Sequence, residues 1–161
     1  MLGMPRERVM IPLRWSDTDA YGHINNVQFL RLLEEARVAI LADQIGGGEG
    51  SPGSPGTALL VARSEIEYLE PMLHRADPVA VDLWVTRIGA ADFDMAYRVL
   101  DQTPDNTGSG QVYAQAETLL VTFDLGTGRP RRMTRPERER LVSWRDEPVR
   151  WRRRHPTRAS R

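Results

Sequence analysis

A chain of 161 residues has the length of a single domain and can bury a real core. Its 22 arginines balance 22 acidic residues, so no net field draws it to nucleic acid or an anionic membrane. With no lysine and no cysteine, it lacks a Schiff-base or P-loop lysine, a disulfide, a thiolate nucleophile and a thiolate metal site. No stretch approaches the length of a membrane span, and Arg6, Glu7 and Arg8 precede any apolar run, unlike a signal peptide. The expectation is a soluble, cytoplasmic protein.

Val9, Ile11, Leu13 and Trp15 alternate with Arg8, Met10, Pro12 and Arg14, the period of a strand with one buried face. Pro12 cannot donate to a ladder, which predicts a strand that is short, bent or at an edge. A loop rich in carboxylates and amides follows, then a helix over about residues 26–45. Its apolar residues, among them Val27, Phe29, Leu30, Leu33, Ala36, Val38 and Leu41, spread over most of the circumference, predicting a helix enclosed by other structure. Gly46-Gly47-Gly48 stops it, and residues 46–56 are expected to be a mobile loop.

Four strands are predicted next. Leu60, Ala62, Ser64, Ile66 and Tyr68 line one face of the first; Val79, Val81, Leu83 and Val85 line the second. Phe93, Met95, Tyr97 and Val99 line the third, and Leu119, Val121 and Phe123 the fourth, which spans about residues 112–124. A hairpin fits residues 88–92 and a longer turn residues 103–110, so the sheet is expected to be antiparallel. One strand, one long helix and four strands make an α+β pattern, a five-stranded sheet curled around the helix. Thr134 and Pro136 predict a short final helix. The domain is assigned to residues 1–145. Residues 146–161 hold six arginines against two acids without apolar periodicity, predicting a solvated tail.

The chemistry concentrates in Asp17-Thr18-Asp19-Ala20-Tyr21-Gly22-His23-Ile24-Asn25-Asn26. Asn25 or Asn26 can cap the helix, and Asn25 with Gln28 matches a capping box, so a helix N-terminus with unpaired N–H donors faces the loop. Asp19, just upstream, is the candidate base or nucleophile, set against an ordinary loop aspartate that stabilises a turn. Asp17 is read as a structural acceptor. Gly22 is read as a sharp turn or a close approach to substrate, and His23 as support for the loop. His74 and His155 are too distant to complete a metal site with His23.

The run D-x-D-x-x-G-H-I-N-N followed by F-L-R-L-L-E-E-A-R resembles the opening of the 4-hydroxybenzoyl-CoA thioesterase-like family of hotdog-fold acyl-CoA thioesterases. The resemblance implies that Asp19 is the catalytic carboxylate and that N–H groups at Asn25 and Asn26 receive the thioester carbonyl. It implies a hotdog fold, CoA as part of the substrate rather than a cofactor, and no metal or redox group. A homodimer or homotetramer with the site between subunits is implied as well. Arg129, Arg131 and Arg132, with Arg63 as an addition, are candidates for the CoA phosphates, against a solvated turn. Glu34 and Glu35 compete with Asp19, because another hotdog branch carries its acid on the helix; an ion pair on the helix surface is the assignment preferred. Two other functions stay open on the same scaffold: a non-catalytic acyl-CoA binding or sensing protein, and a hydratase.

Overall fold

The computed structural model describes residues 6–44, 56–101 and 110–152. They form β1 (Glu7–Ile11), a 3-10 turn (Trp15–Asp17), α1 (Asn26–Gln44), β2 (Thr57–Tyr68), β3 (Val79–Ile88), β4 (Asp92–Leu100), β5 (Val112–Asp124), β6 (Arg129–Pro130) and α2 (Arg135–Ser143). All strand pairs are antiparallel in the order β1-β3-β4-β5-β2, and β6 adds two residues beside β5. This is the expected α+β fold, with the long helix packed on the sheet. The glycine-rich segment after α1 and most of the 103–110 turn lie outside the described residues.

β1 stops at Ile11, immediately before Pro12, and sits at the sheet edge. Trp15 does not continue its alternation. The chain folds into the 3-10 turn there, as the Asp17 carboxylate accepts from Arg14 N at 2.8 Å, and Trp15 is 77% exposed. Phe29, Leu32, Leu33 and Ala36 recur at helical spacing and bury one face of α1 against the sheet. The helix is not enclosed as expected. Val27, Leu30 and Val38 are exposed on its other side, because one sheet can cover only one side of a helix.

Two predicted strand faces also change. A bulge between Val61 and Arg63 shifts the register of β2 on β5, and Val61 rather than Ala62 comes to line the helix side with Ser64. On β5 the residues in the core are Ala114, Ala116 and Leu120, whereas Leu119, Val121 and Phe123 are half-buried. Both faces of that strand carry apolar residues, so a period of two cannot choose between them.

The expected solvated tail is corrected over its first part. Arg145 bridges Val85, Glu147 O accepts from the Trp84 indole at 2.7 Å, and Arg150 O accepts from Gln115 Nε2 at 2.9 Å. Arg152 N then reaches the Glu67 carboxylate at 3.2 Å, and Val149 is buried against Trp84 and Ala96. Residues 145–152 thus strap the outer face of the sheet from β3 to β2. Residues 153–161 lie outside the described residues.

Thr134 caps α2 as expected, and Glu137 answers it by accepting from Thr134 N at 2.7 Å. Burial would raise the Glu137 carboxyl, but the Arg131 guanidinium at 2.6 Å and the Thr134 backbone outweigh it and hold the group below the usual carboxylate range. A depressed carboxyl adds stability above its unfolded pKa, and that stability disappears as pH falls through the folded value. Glu137→Gln is therefore expected to cost about 1 kcal/mol near neutrality. In thermal melts the gap to wild type should close as the solution is acidified below the ordinary glutamate range.

Candidate active site

The loop between β1 and α1 is built by its own backbone and then pinned to the segment after β2. Asp19 N donates to His23 O at 2.8 Å, Gly22 N to Asp19 O at 3.2 Å, and Thr18 bridges Ile24. Gly22 has φ +78 with open space around its Cβ position, so backbone conformation rather than close approach requires glycine there. Ile24 N donates to Met72 O at 2.7 Å and His23 bridges Leu73, which docks the loop on residues 72–73.

Asn25 caps α1, its Oδ1 accepting from Val27 N at 3.1 Å. The capping box expected with Gln28 does not form. Asn25 N donates instead to Asp17 O at 2.8 Å, and the Gln28 side chain accepts from Arg31 Nε at 3.1 Å. This also removes Asn25 N–H from the set of available donors. Asn26 N–H, at the first residue of the helix, has no acceptor among the described residues, and Asn26 lines the cleft described below.

Asp19 Oδ1 accepts from Tyr21 N at 2.8 Å and from His23 N at 3.1 Å. These bonds set the orientation of the carboxylate, and Oδ2 has no partner among the described residues. Asp17 is different: it is 2% exposed, and its Oδ2 accepts from both Arg14 N and the Arg31 guanidinium. Those two bonds hold the loop against α1. Arg31 and Arg14 both also bind Glu35, so Glu35 is tied into the same network. Glu34 is exposed and stands 3.7 Å from Arg37.

Asp19, His23, Ile24, Asn26, Phe29 and Tyr68 line an open cleft of about 320 Å³, closed on its far side by residues 69–72. Sequence pattern did not single out Tyr68 for this site. Its hydroxyl donates to Asn26 O at 3.0 Å, and its ring meets Phe29 edge-on at 5.5 Å, locking the helix start to the end of β2. Burial pushes the Tyr68 hydroxyl above the ordinary tyrosine range, so it stays a neutral donor. No local pattern marks it; its position as the last residue of a strand beside the helix start does.

The arginines are elsewhere. Arg129 pairs with Asp124, which also pairs with Thr57, whereas Tyr68 pairs with Ala114. Eleven residues of strand, about 35 Å at the usual rise, separate the two ends of β2. Arg131 is bound to Glu137, Arg63 sits at the β2 bulge, and none of Arg63, Arg129, Arg131 and Arg132 lines the cleft. Among the described residues, no group of three His, Cys, Asp or Glu side chains could hold a metal ion, and no helix is long and apolar enough to cross a membrane.

A long helix packed against an antiparallel sheet in this strand order, with Asp19 and the first residue of the helix lining one cleft, is a scaffold of the hotdog thioesterase class. Residues 13–151 match the model of the thioesterase-like superfamily, and the chain belongs to that family. No curated protein matches the chain. A thioesterase from Thermus thermophilus, solved with coenzyme A and zinc, is 30% identical over 92% of this chain and 100% of its own, with a TM-score of 0.66. A predicted thioesterase from Bacillus stearothermophilus is 24% identical, covering 89% of this chain and 99% of that one, with a TM-score of 0.71. A 1,4-dihydroxy-2-naphthoyl-CoA thioesterase from Synechocystis is 23% identical over 85% and 96% of the two chains, with a TM-score of 0.70. The last two show the fold; the first, with the family match, supports a thioester hydrolase.

Proposed function

We propose that the chain is an acyl-CoA thioesterase in which Asp19 activates water and Asn26 N–H receives the thioester oxygen. The observation that carries this reading is the pairing of Asp19 Oδ2 and Asn26 N–H on one cleft, both without partners among the described residues. Water attacks the carbonyl carbon and gives its proton to Asp19. The oxyanion that forms is held by a pre-aimed N–H, a contact worth on the order of 3 kcal/mol. Collapse expels the CoA thiolate, which takes up a proton, and releases the acid. No step is assigned to a metal or redox group. His23, at the rim, supports the loop through its backbone bonds to Asp19.

The working unit in this reading is a dimer. β2 is a twelve-residue edge strand, exposed Leu30 of α1 and exposed Val61 of β2 line one cleft, and exposed Tyr68 of β2 meets the start of α1. Two copies pairing antiparallel along β2 would cover this surface. They would also bring Arg129 and Arg132 of the second copy, some 35 Å away within one chain, towards the Tyr68 end of the first. That arrangement would let CoA phosphates reach those arginines from the cleft.

The test is release of free thiol from short, long and aromatic acyl-CoAs. Turnover of at least one class is the expected result. Tight binding of CoA esters with no thiol release overturns hydrolysis and leaves an acyl-CoA binding protein.

A further inference from the structure

Arg63 and Glu65 stand two residues apart on the outer face of β2, the face turned away from α1. Ser64 and Ile66 alternate with them on the helix side, where Ser64 Oγ is 3.3 Å from Thr118 Oγ1 and Ile66 packs on the core. Arg63 and Glu65 are exposed, and neither has a hydrogen bond or an ion pair among the described residues. Across the ladder Arg63 faces Leu119, an apolar side chain, and Glu65 faces Glu117. Like charges directly opposite are destabilising. The Glu117 carboxylate accepts from the Thr86 hydroxyl at 2.7 Å, but no cation meets either acid among the described residues. Other carboxylates on this face of the sheet are answered by arginine: Asp82 by Arg8 and Asp94 by Arg87. The edge strand therefore carries a cation with no acid and, two residues on, an acid pair with no cation.

β2 is an edge of the sheet, and its unpaired side can take a second β2 running antiparallel about a two-fold axis. Side chains that meet across such a pair lie on the same face, and a one-residue slip turns every face over. An axis through Ser64 meets this requirement and sets Arg63 of each copy opposite Glu65 of the other. Each guanidinium then lies beside the Glu65–Glu117 pair. An axis through Arg63 sets the two arginines face to face. An axis through Glu65 lets Arg63 face Glu67, but it gathers both copies of Glu65 and Glu117 at the centre, and Glu67 is already held by Gln115 and Arg152 N. The charges select the Ser64 axis.

We propose that two copies of the chain join along β2 with Ser64 on the axis, that Arg63 and Glu65 set this register, and that Leu59 of the second copy completes the Asp19 cleft. The proposal rests on the dimer of the thioesterase reading and fixes its geometry. Ala62 is the extra residue at the bulge, since Val61 pairs with Leu120 and Arg63 with Leu119. Counting past it from the axis, Ile66 lies opposite Val61 of the second copy, and Tyr68 opposite Leu59. All four side chains are on the helix-facing side. Tyr68 lines the cleft that holds Asp19 and Asn26, so Leu59 of the second copy stands at that cleft and gives it an apolar wall.

Sedimentation compares the mass of wild type, Arg63→Glu, Glu65→Arg and an equal mixture of the two variants. Wild type is expected to be dimeric. Each variant alone should dissociate about 10-fold more readily or beyond, because like charges then face each other twice. In the mixture every reversed charge meets its opposite in the other chain, so the dimer should return as a heterodimer. Thiol release should follow mass, falling in each variant and recovering in the mixture. Ser64→Cys puts one thiol on the axis of a chain that has no cysteine. Opposed Cα atoms in an antiparallel pair lie about 4.5–5.5 Å apart, within disulfide reach, so oxidation should give a covalent dimer. That arm carries the test if the charge variants do not fold. A mixture that stays monomeric, a single variant as dimeric as wild type, or no covalent dimer from Ser64→Cys overturns the register. Full activity in the monomeric variants overturns the contribution of Leu59. A monomeric wild type that releases thiol overturns the dimer and leaves the thioesterase standing. A dimer with this register that releases no thiol does the reverse.

Discussion

Asp19→Asn is expected to lower thiol release by roughly 10²–10⁴-fold with no loss of fold, the range typical for removing a positioned general base. The substitution is close to a pure chemical change. An asparagine Oδ1 can still accept from Tyr21 N and His23 N, so the loop that aims the side chain survives. The second oxygen becomes an NH₂ group, a donor that cannot take a proton from water. Asp19→Ala removes the loop's internal acceptor as well and is expected to reduce thermal stability, separating aim from chemistry. The measurement is single-substrate turnover with a melting curve on the same sample. Full activity in Asp19→Asn would make Asp19 structural and turn attention to exposed Glu34, since Glu35 is tied to Arg14 and Arg31.

Deletion of residues 146–161 is expected to lower the melting temperature by about 10 °C, from a loss of roughly 3–5 kcal/mol in a domain of this size. The deletion strips Val149 from Trp84 and Ala96, on the outer face of the sheet. It also removes the carbonyls that accept from the Trp84 indole and Gln115, and the Asp146 carboxylate that binds Arg6. Arg6 in turn stacks over the Trp84 ring at 4.2 Å. Newly exposed Trp84 beside β1 should make the shortened chain prone to self-association. Val149→Asp is the point-mutant counterpart, because it puts a charged side chain into the buried apolar contact with Trp84 and Ala96. An unchanged melting temperature in both would show that the strap adds nothing to the domain.

Local order was the more legible part of this chain. Pro12 ends β1, Thr134 with Pro136 starts α2, and the strands fall where period-two runs lie between turn residues. Each of these is decided within a few residues by backbone donors, φ and side-chain alternation. The candidate site was legible for a similar reason. Asp19, Gly22, His23, Asn25 and Asn26 all belong to one self-bonded loop, so nearness in sequence is nearness in space. The harder question was which N–H is free. Asn25 and Asn26 look equivalent until Asp17 O is seen to take the first of them.

What the sequence alone determined is the five longer strands, the two helices and the loop that caps the first of them, because short-range hydrogen bonding and periodicity specify them. Which face of β5 meets the helix was decided by tertiary structure, since both faces carry apolar side chains and only the register with β4 and β2 orients them. Packing likewise decided that Tyr68 joins the site and that Arg129 and Arg132 stand at the far end of the sheet. An arginine-rich stretch became a strap because Trp84 offered it an apolar seat, a partner more than sixty residues away. Contacts at that separation leave no mark in local sequence pattern, for their energy exists only once the sheet has closed over the helix.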